Sequence, residues 1–249
     1  PFFISVALCL LSYGLPAFAQ ASNEQQRWAY VGTFSSPLKD TLPTQVDLPP
    51  GNGLGIHIFE MNTKTGSLKP AGHYRSGVSP SHVAINAKQT RLYSANETDH
   101  LQIDGKKQGS VSSFEMNPTD GSLKLINTLP SGGAGPTYVS IHPSGKFLLV
   151  ANYFGGSVSV LPILDDGRLG EASDVKQDEG EIGPTVAKNA PEGSFAFSGH
   201  DHTHAHMIQA DPSGKFVIHV DLGLDRIFIW RFDLENGKLF PADTHEVVL

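Results

Sequence analysis

Three stretches of this chain share one internal grammar, and that repeat constrains the fold more than any other feature. Ser81-His82-Val83-Ala84-Ile85-Asn86 is followed by Arg91-Leu92-Tyr93-Ser94-Ala95-Asn96. The same order returns from Tyr138 to Asn152 and again from His206 to Asp221. Each copy is a short apolar strand, a polar turn (Pro-Ser-Gly in the last two), a second apolar strand and a closing Asn or Asp. A unit this short cannot bury its apolar faces alone, so it must stack on its copies.

A second anchor runs through the same units. Thr65-Gly66, Asp120-Gly121, Asp166-Gly167 and Asn236-Gly237 each close an alternating stretch, at 56–61, 110–116, 157–163 and 226–233. Asp-Gly and Asn-Gly permit positive φ, so these pairs predict tight hairpins. The glycines recur at roughly fifty-residue intervals, and the widest gap is opened by an insertion at about 178–203. No stretch holds a helical period. Short strands in a repeat of this length predict an all-β fold, a β-propeller of four-stranded antiparallel blades. A β-sandwich would not predict the repeat. The blade units fall at about 28–74, 79–130, 136–178 and 204–249, within a partial propeller domain at 20–249. The first unit lacks an obvious first strand, and the chain reads as the front part of a larger ring, about four blades of it.

Residues 1–19 carry no charge, and Ala17-Phe18-Ala19 is a small-x-small cleavage signal. This predicts a signal peptide at 1–19, a start inside a longer reading frame, and a periplasmic or secreted product. The apolar run, interrupted by Ser12, Gly14 and Pro16, is too short for a comfortable membrane span. No membrane attachment is expected after its removal. The single cysteine, Cys9, lies in that segment, so the mature chain has no disulfide, thiolate nucleophile or Cys-based zinc site. The net charge is -7 and Lys and Arg are not clustered. That argues against nucleic acid and anionic lipid as partners.

Two groups of residues can carry chemistry. His200, His202, His204 and His206 alternate, and a strand would place all four imidazoles on one face. His200 and His202 read as polar loop, with a metal site as the alternative left open and no metal assigned. His204 and His206 enter an apolar strand, where an inner strand would meet the central channel, and are the candidates for function. The second group stands at the ends of second strands: Asn96-Glu97, Asn152-Tyr153 and Asp221 to Arg226. Stacked repeats bring such positions to a common rim, although Asn and Asp there often bond their own turn backbone. Glu97 and Arg226 stay open for chemistry, the latter because a guanidinium grips carboxylate or phosphate. The glycine-rich 131–136 segment lacks the Lys-Ser/Thr of a phosphate loop and reads as an inter-blade linker. No Gly-x-Ser-x-Gly elbow is present, and no cofactor is expected.

In combination, several phrases resemble the seven-bladed β-propeller lactonase family, whose types are propeller 6-phosphogluconolactonase and carboxy-cis,cis-muconate cyclase. They are Gly132 to Pro136, Val139 to Lys146, Val150 to Tyr153, Gly155 to Val160, His204-Ala205-His206 and Asp221 to Ile227. The similarity runs from about Trp28 to the end. It implies seven blades and a channel-mouth site where His and Arg act on a lactone. Tyr138 departs from the pattern, standing where a His is expected, while His82 keeps the equivalent place.

The resulting expectation is a lactone hydrolase acting on a small-molecule sugar lactone, with His206 as general base and His204 as its orienting partner. Arg226 would stabilise the oxyanion or anchor the substrate, and Glu97 would be a second acid/base. His82, Asn152 and Asp221 are the candidates for substrate binding. The alternatives are a muconate-type lactonising cyclase and a non-catalytic periplasmic binding scaffold.

Overall fold

A computed structural model describes residues 27–35, 53–186, 191–192 and 199–249; the expected signal peptide lies outside them. The alternating stretches form fifteen strands and four separate antiparallel sheets. The first sheet has three strands, β1 (Arg27–Gly32), β2 (Gly55–Met61) and β3 (Leu68–Arg75). The second is β4 (Pro80–Ile85), β5 (Arg91–Ile103), β6 (Lys106–Met116) and β7 (Leu123–Pro130). The third is β8 (Pro136–Ile141), β9 (Phe147–Asn152), β10 (Ser157–Pro162) and β11 (Asp174–Gln177). The fourth is β12 (Ala205–Ala210), β13 (Phe216–Asp221), β14 (Arg226–Asp233) and β15 (Lys238–Val248). Each sheet is a meander in chain order, and β4, β8 and β12 lie side by side. This is a partial β-propeller, with β4, β8 and β12 as inner strands.

Period-two alternation explains why the sheets stack. On β9, Leu148 and Val150 face Tyr93, Ala95 and Val111 of the second blade. Leu149 and Ala151 face Ala205, Ile208 and Val217 of the fourth. Ile56 packs with Leu92, Phe114 and Met116 between the first two blades. A central blade is thus apolar on both faces, and its removal would uncover two cores at once.

The hairpin glycines serve the same stacking. Gly66, Gly121, Gly167 and Gly237 all have positive φ, between 62° and 87°. A side chain on Gly121, Gly167 or Gly237 would strike Trp28, Arg91 or Phe147, equivalent residues of the preceding blade. Tyr30 and Tyr93 reinforce these contacts by donating to the Gly121 and Gly167 carbonyls.

Candidate active site

A register shift builds the rim of the inner strands. Pro80, Pro136 and Ala205 pair with Asn96, Asn152 and Asp221, whereas His82, Tyr138 and Met207 pair with Ala95, Ala151 and Val220. One residue per blade is therefore bulged out of the ladder: Ser81, Thr137 and His206. Bulges of this kind re-aim a side chain beside a functional site. Aligning the phrases by their histidines would set His206 with His82, but Met207 stands there instead. Counting back four residues from the Asn86, His142 and Asp211 turns would have revealed the offset.

The residue after each second strand is pinned to the same rim. Glu97, Tyr153 and Leu222 donate their N–H groups to the carbonyls of Ser79, Gly135 and His204, at 2.9, 2.8 and 2.9 Å. Burial raises the Glu97 carboxyl above the usual carboxylate range, opposed by the nearby Ser81 and Thr137 hydroxyls. Burial also raises the Tyr153 phenol, helped by the charges of Asp201, Glu97 and Asp221. The Tyr153 ring stands edge-on to the exposed His206 imidazole at 5.5 Å and stacks on the buried His204 at 4.2 Å. Glu97, Tyr153 and His206 thus form one patch across three blades. Sequence reasoning had placed Tyr153 at the rim but assigned it no role.

His204 and His206 contact the same Tyr153 ring. Its Nδ1–H donates to the Tyr153 carbonyl at 3.1 Å, and its Nε2 lies 2.7 Å from Asp201 Oδ1. The strand that would carry four imidazoles on one face begins only at Ala205, so His200, His202 and His204 precede it. His200 Nε2 pairs with Asp225 at 3.0 Å and His202 Nδ1 with Asp201 at 3.1 Å.

The expected substrate-binding residues are used differently. His82 stacks on Tyr138 at 4.2 Å and accepts the Val139 N–H, joining two inner strands, and burial lowers its pKa. Asn152 is fully buried and donates to Ser131 O, Ser157 Oγ and Ser159 Oγ. Asn96 does the same with Ser110 and Ser112. Asp221 is fully buried as well, and its Oδ1 accepts the N–H groups of His204 and Leu224, each at 2.9 Å. Asn152 and Asp221 therefore brace the strand ends of their own blades. Arg226 is drawn outward along its sheet, its guanidinium 3.1 Å from Glu246 on β15.

Beneath the rim, the fourth blade buries a titratable chain. Trp230 donates to His219 Nδ1 at 2.8 Å, so His219 Nε2 carries the hydrogen toward Asp178, 3.0 Å away. Burial lowers His219 to about 3. Burial and the neighbouring Asp221 push Asp178 up to about 9. Asp178 opens the insertion, and nothing in its local sequence announced this role.

With these features in hand, the comparison with known proteins is decisive. The model of the family described as "Lactonase, 7-bladed beta-propeller" matches residues 28–248. The chain belongs to the seven-bladed β-propeller lactonase family. Among its relatives is the 6-phosphogluconolactonase of Bacillus subtilis, 27% identical over 216 residues, which cover 87% of this chain and 52% of that one. A Bacteroides fragilis structure, assigned as a 6-phosphogluconolactonase, superposes with TM-score 0.70 at 27% identity, covering 92% of this chain and 56% of the other. The periplasmic gluconolactonase of Pseudomonas aeruginosa superposes with TM-score 0.66 at 25% identity, covering 90% and 55%. The chain spans about half the length of the relatives it matches, in keeping with four sheets of a seven-bladed lactonase ring.

Proposed function

We propose that the whole protein is a lactone hydrolase exported to the periplasm, and that this chain furnishes one side of its active site. Export is supported by the uncharged 1–19 segment and its Ala17-Phe18-Ala19 signal. The likeness to a periplasmic gluconolactonase agrees with it. Hydrolysis is supported above all by the convergence of Glu97, Tyr153 and His206 at the inner-strand bulges.

Opening a lactone needs a base for the attacking water and an acid for the departing ring oxygen. His206, exposed at the rim, takes the proton as the water oxygen bonds to the carbonyl carbon. The carbonyl oxygen becomes an oxyanion, then re-forms its double bond as the ring C–O bond breaks. Glu97, kept protonated more readily by burial, delivers a proton to the leaving oxygen. The product is the open hydroxy acid. Tyr153 fixes the His206 ring edge-on, and His204 acts as a positioning residue by holding the Tyr153 carbonyl. Arg226 enters no step in this scheme, because Glu246 engages its guanidinium.

Among the described residues this patch holds carboxylates and imidazoles without a lysine or arginine. An uncharged sugar lactone suits it better than an unsaturated dicarboxylate, whose two carboxylates need cationic anchors. In the full-length protein, His206→Ala should lower kcat on a sugar lactone by at least about a hundredfold, the scale of general-base loss. Assaying that lactone with and without a phosphate, beside a muconate, separates hydrolase from cyclase by product. An unchanged rate in His206→Ala removes the imidazole from the mechanism.

A further inference from the structure

From the loop that precedes β12 we infer a divalent transition-metal site formed by Asp201, His202 and His204. It does not rest on the hydrolase reading. One donor atom from each of the three residues lies within 4.8 Å of the others. Two imidazoles and one carboxylate make a donor set that suits zinc-class ions and leaves further coordination positions open.

The hydrogen positions around His204 point to the ion. Its side chain is fully buried. Nδ1 faces the Tyr153 carbonyl, which can only accept, so Nδ1 bears the hydrogen. Nε2 faces Asp201 Oδ1 at 2.7 Å, and a carboxylate oxygen accepts as well. A neutral imidazole has one N–H and cannot satisfy both contacts. Either a second proton or a shared cation must stand between Nε2 and Asp201. His202 brings a second imidazole to the same carboxylate, its ring centroid 3.9 Å from that of His204. One shared divalent ion would accept lone pairs from both rings and from the carboxylate between them.

The surroundings already match a ligand shell. A metal-bound histidine ordinarily donates its other ring N–H to a backbone carbonyl or carboxylate, as His204 does to Tyr153. Donor atoms at about 2.0–2.2 Å from one such ion lie roughly 3 Å apart. The His204–Asp201 and His202–Asp201 separations of 2.7 and 3.1 Å are of that size. The loop is held from below, where Asp221 Oδ1 accepts the His204 N–H and the Leu222 N–H donates to the His204 carbonyl. Gly223 fits beneath the His202 carbonyl, where a Cβ would collide with it. Asp201 and His202 are exposed, so an ion can enter without opening the fold.

The test is zinc and cobalt binding to the untagged full-length protein, by competition with a chromophoric chelator. One equivalent should bind with a dissociation constant near or below about 1 µM, and the cobalt form should show visible ligand-field bands. Asp201→Asn and His202→Ala, both exposed and so compatible with folding, should each weaken binding at least about tenfold. His200→Ala, whose imidazole is paired to Asp225 instead, should retain the ion. No uptake up to about 1 mM, unchanged affinity in Asp201→Asn and His202→Ala, or equal loss in His200→Ala overturns the site. Binding is read without turnover, so an active, metal-free protein would end this proposal and leave the hydrolase standing. A metal-bound protein without activity would do the reverse.

Discussion

The third and fourth blades hold the same position in two different chemistries. At the end of the second strand, Asn152 is served by neutral partners, a carbonyl and two serine hydroxyls on the adjacent strand and linker. Its counterpart Asp221 is served by two backbone N–H groups and faces a second buried carboxyl, Asp178. At this position the third blade therefore carries no titratable group. In the fourth, Arg226 and Phe228 stand at the serine positions, and Asp178, His219 and Trp230 form a buried titratable group. A few changed residues at repeat positions, together with an added segment, turn a structural polar staple into a titratable one.

The comparison breaks most visibly at its charged end. Asp221→Ala strips two buried N–H groups of a carboxylate acceptor and should cost about 4 kcal/mol, read as a lowered urea midpoint. Asn152→Ala removes only neutral contacts, and its serine partners can rotate to other acceptors, so about 2 kcal/mol is expected from the same titration. A larger loss for Asn152→Ala than for Asp221→Ala would refute the contrast.

A smaller effect sharpens it through pH. Folded, Asp178 keeps its proton up to about pH 9, while its ordinary value is 3.8. Folding takes up a proton between those values, so stability falls as pH rises through that window. His219, lowered to about 3 from 6.5, acts in the opposite sense and loses stability as pH drops from 6.5 to 3. The two slopes oppose each other in mild acid, and above pH 6.5 that of Asp178 stands alone. There the protein should lose on the order of 1 kcal/mol per pH unit. Asp178→Asn should flatten that slope, as measured by urea unfolding at pH 7, 8 and 9, and an equally steep slope in the variant would remove Asp178 as its source.

Much of the fold was legible because its signals are local and repeated. Alternation at Leu148 to Ala151 requires two buried faces, and Asp-Gly or Asn-Gly pairs require tight hairpins at Gly121, Gly167 and Gly237. The site was legible only in part. Glu97, from its place after a second strand, and His206, from the alternating histidines, were candidates on sequence alone, and both stand at the bulged rim. The bulge that separates His206 from His82 was hidden because a one-residue shift changes no composition and shows only in the ladder. The pairing of Arg226 with Glu246 was not legible, because a sequence does not say which of two flanking strands will offer a carboxylate. The burial of Asn152 and Asp221 was not legible, because the two sides of a strand end read alike until neighbours are placed.

By itself, the order of residues determined the blade as a unit, its two apolar faces and its turn chemistry, since these depend on neighbours a few positions away. Which side chains meet at the rim was decided by the stacking of blades. Tyr153 touches His204 and His206, and Asp178 touches His219, across separations of tens of residues. Contacts of that span arise from how the sheets pack around their axis, and no local pattern encodes them.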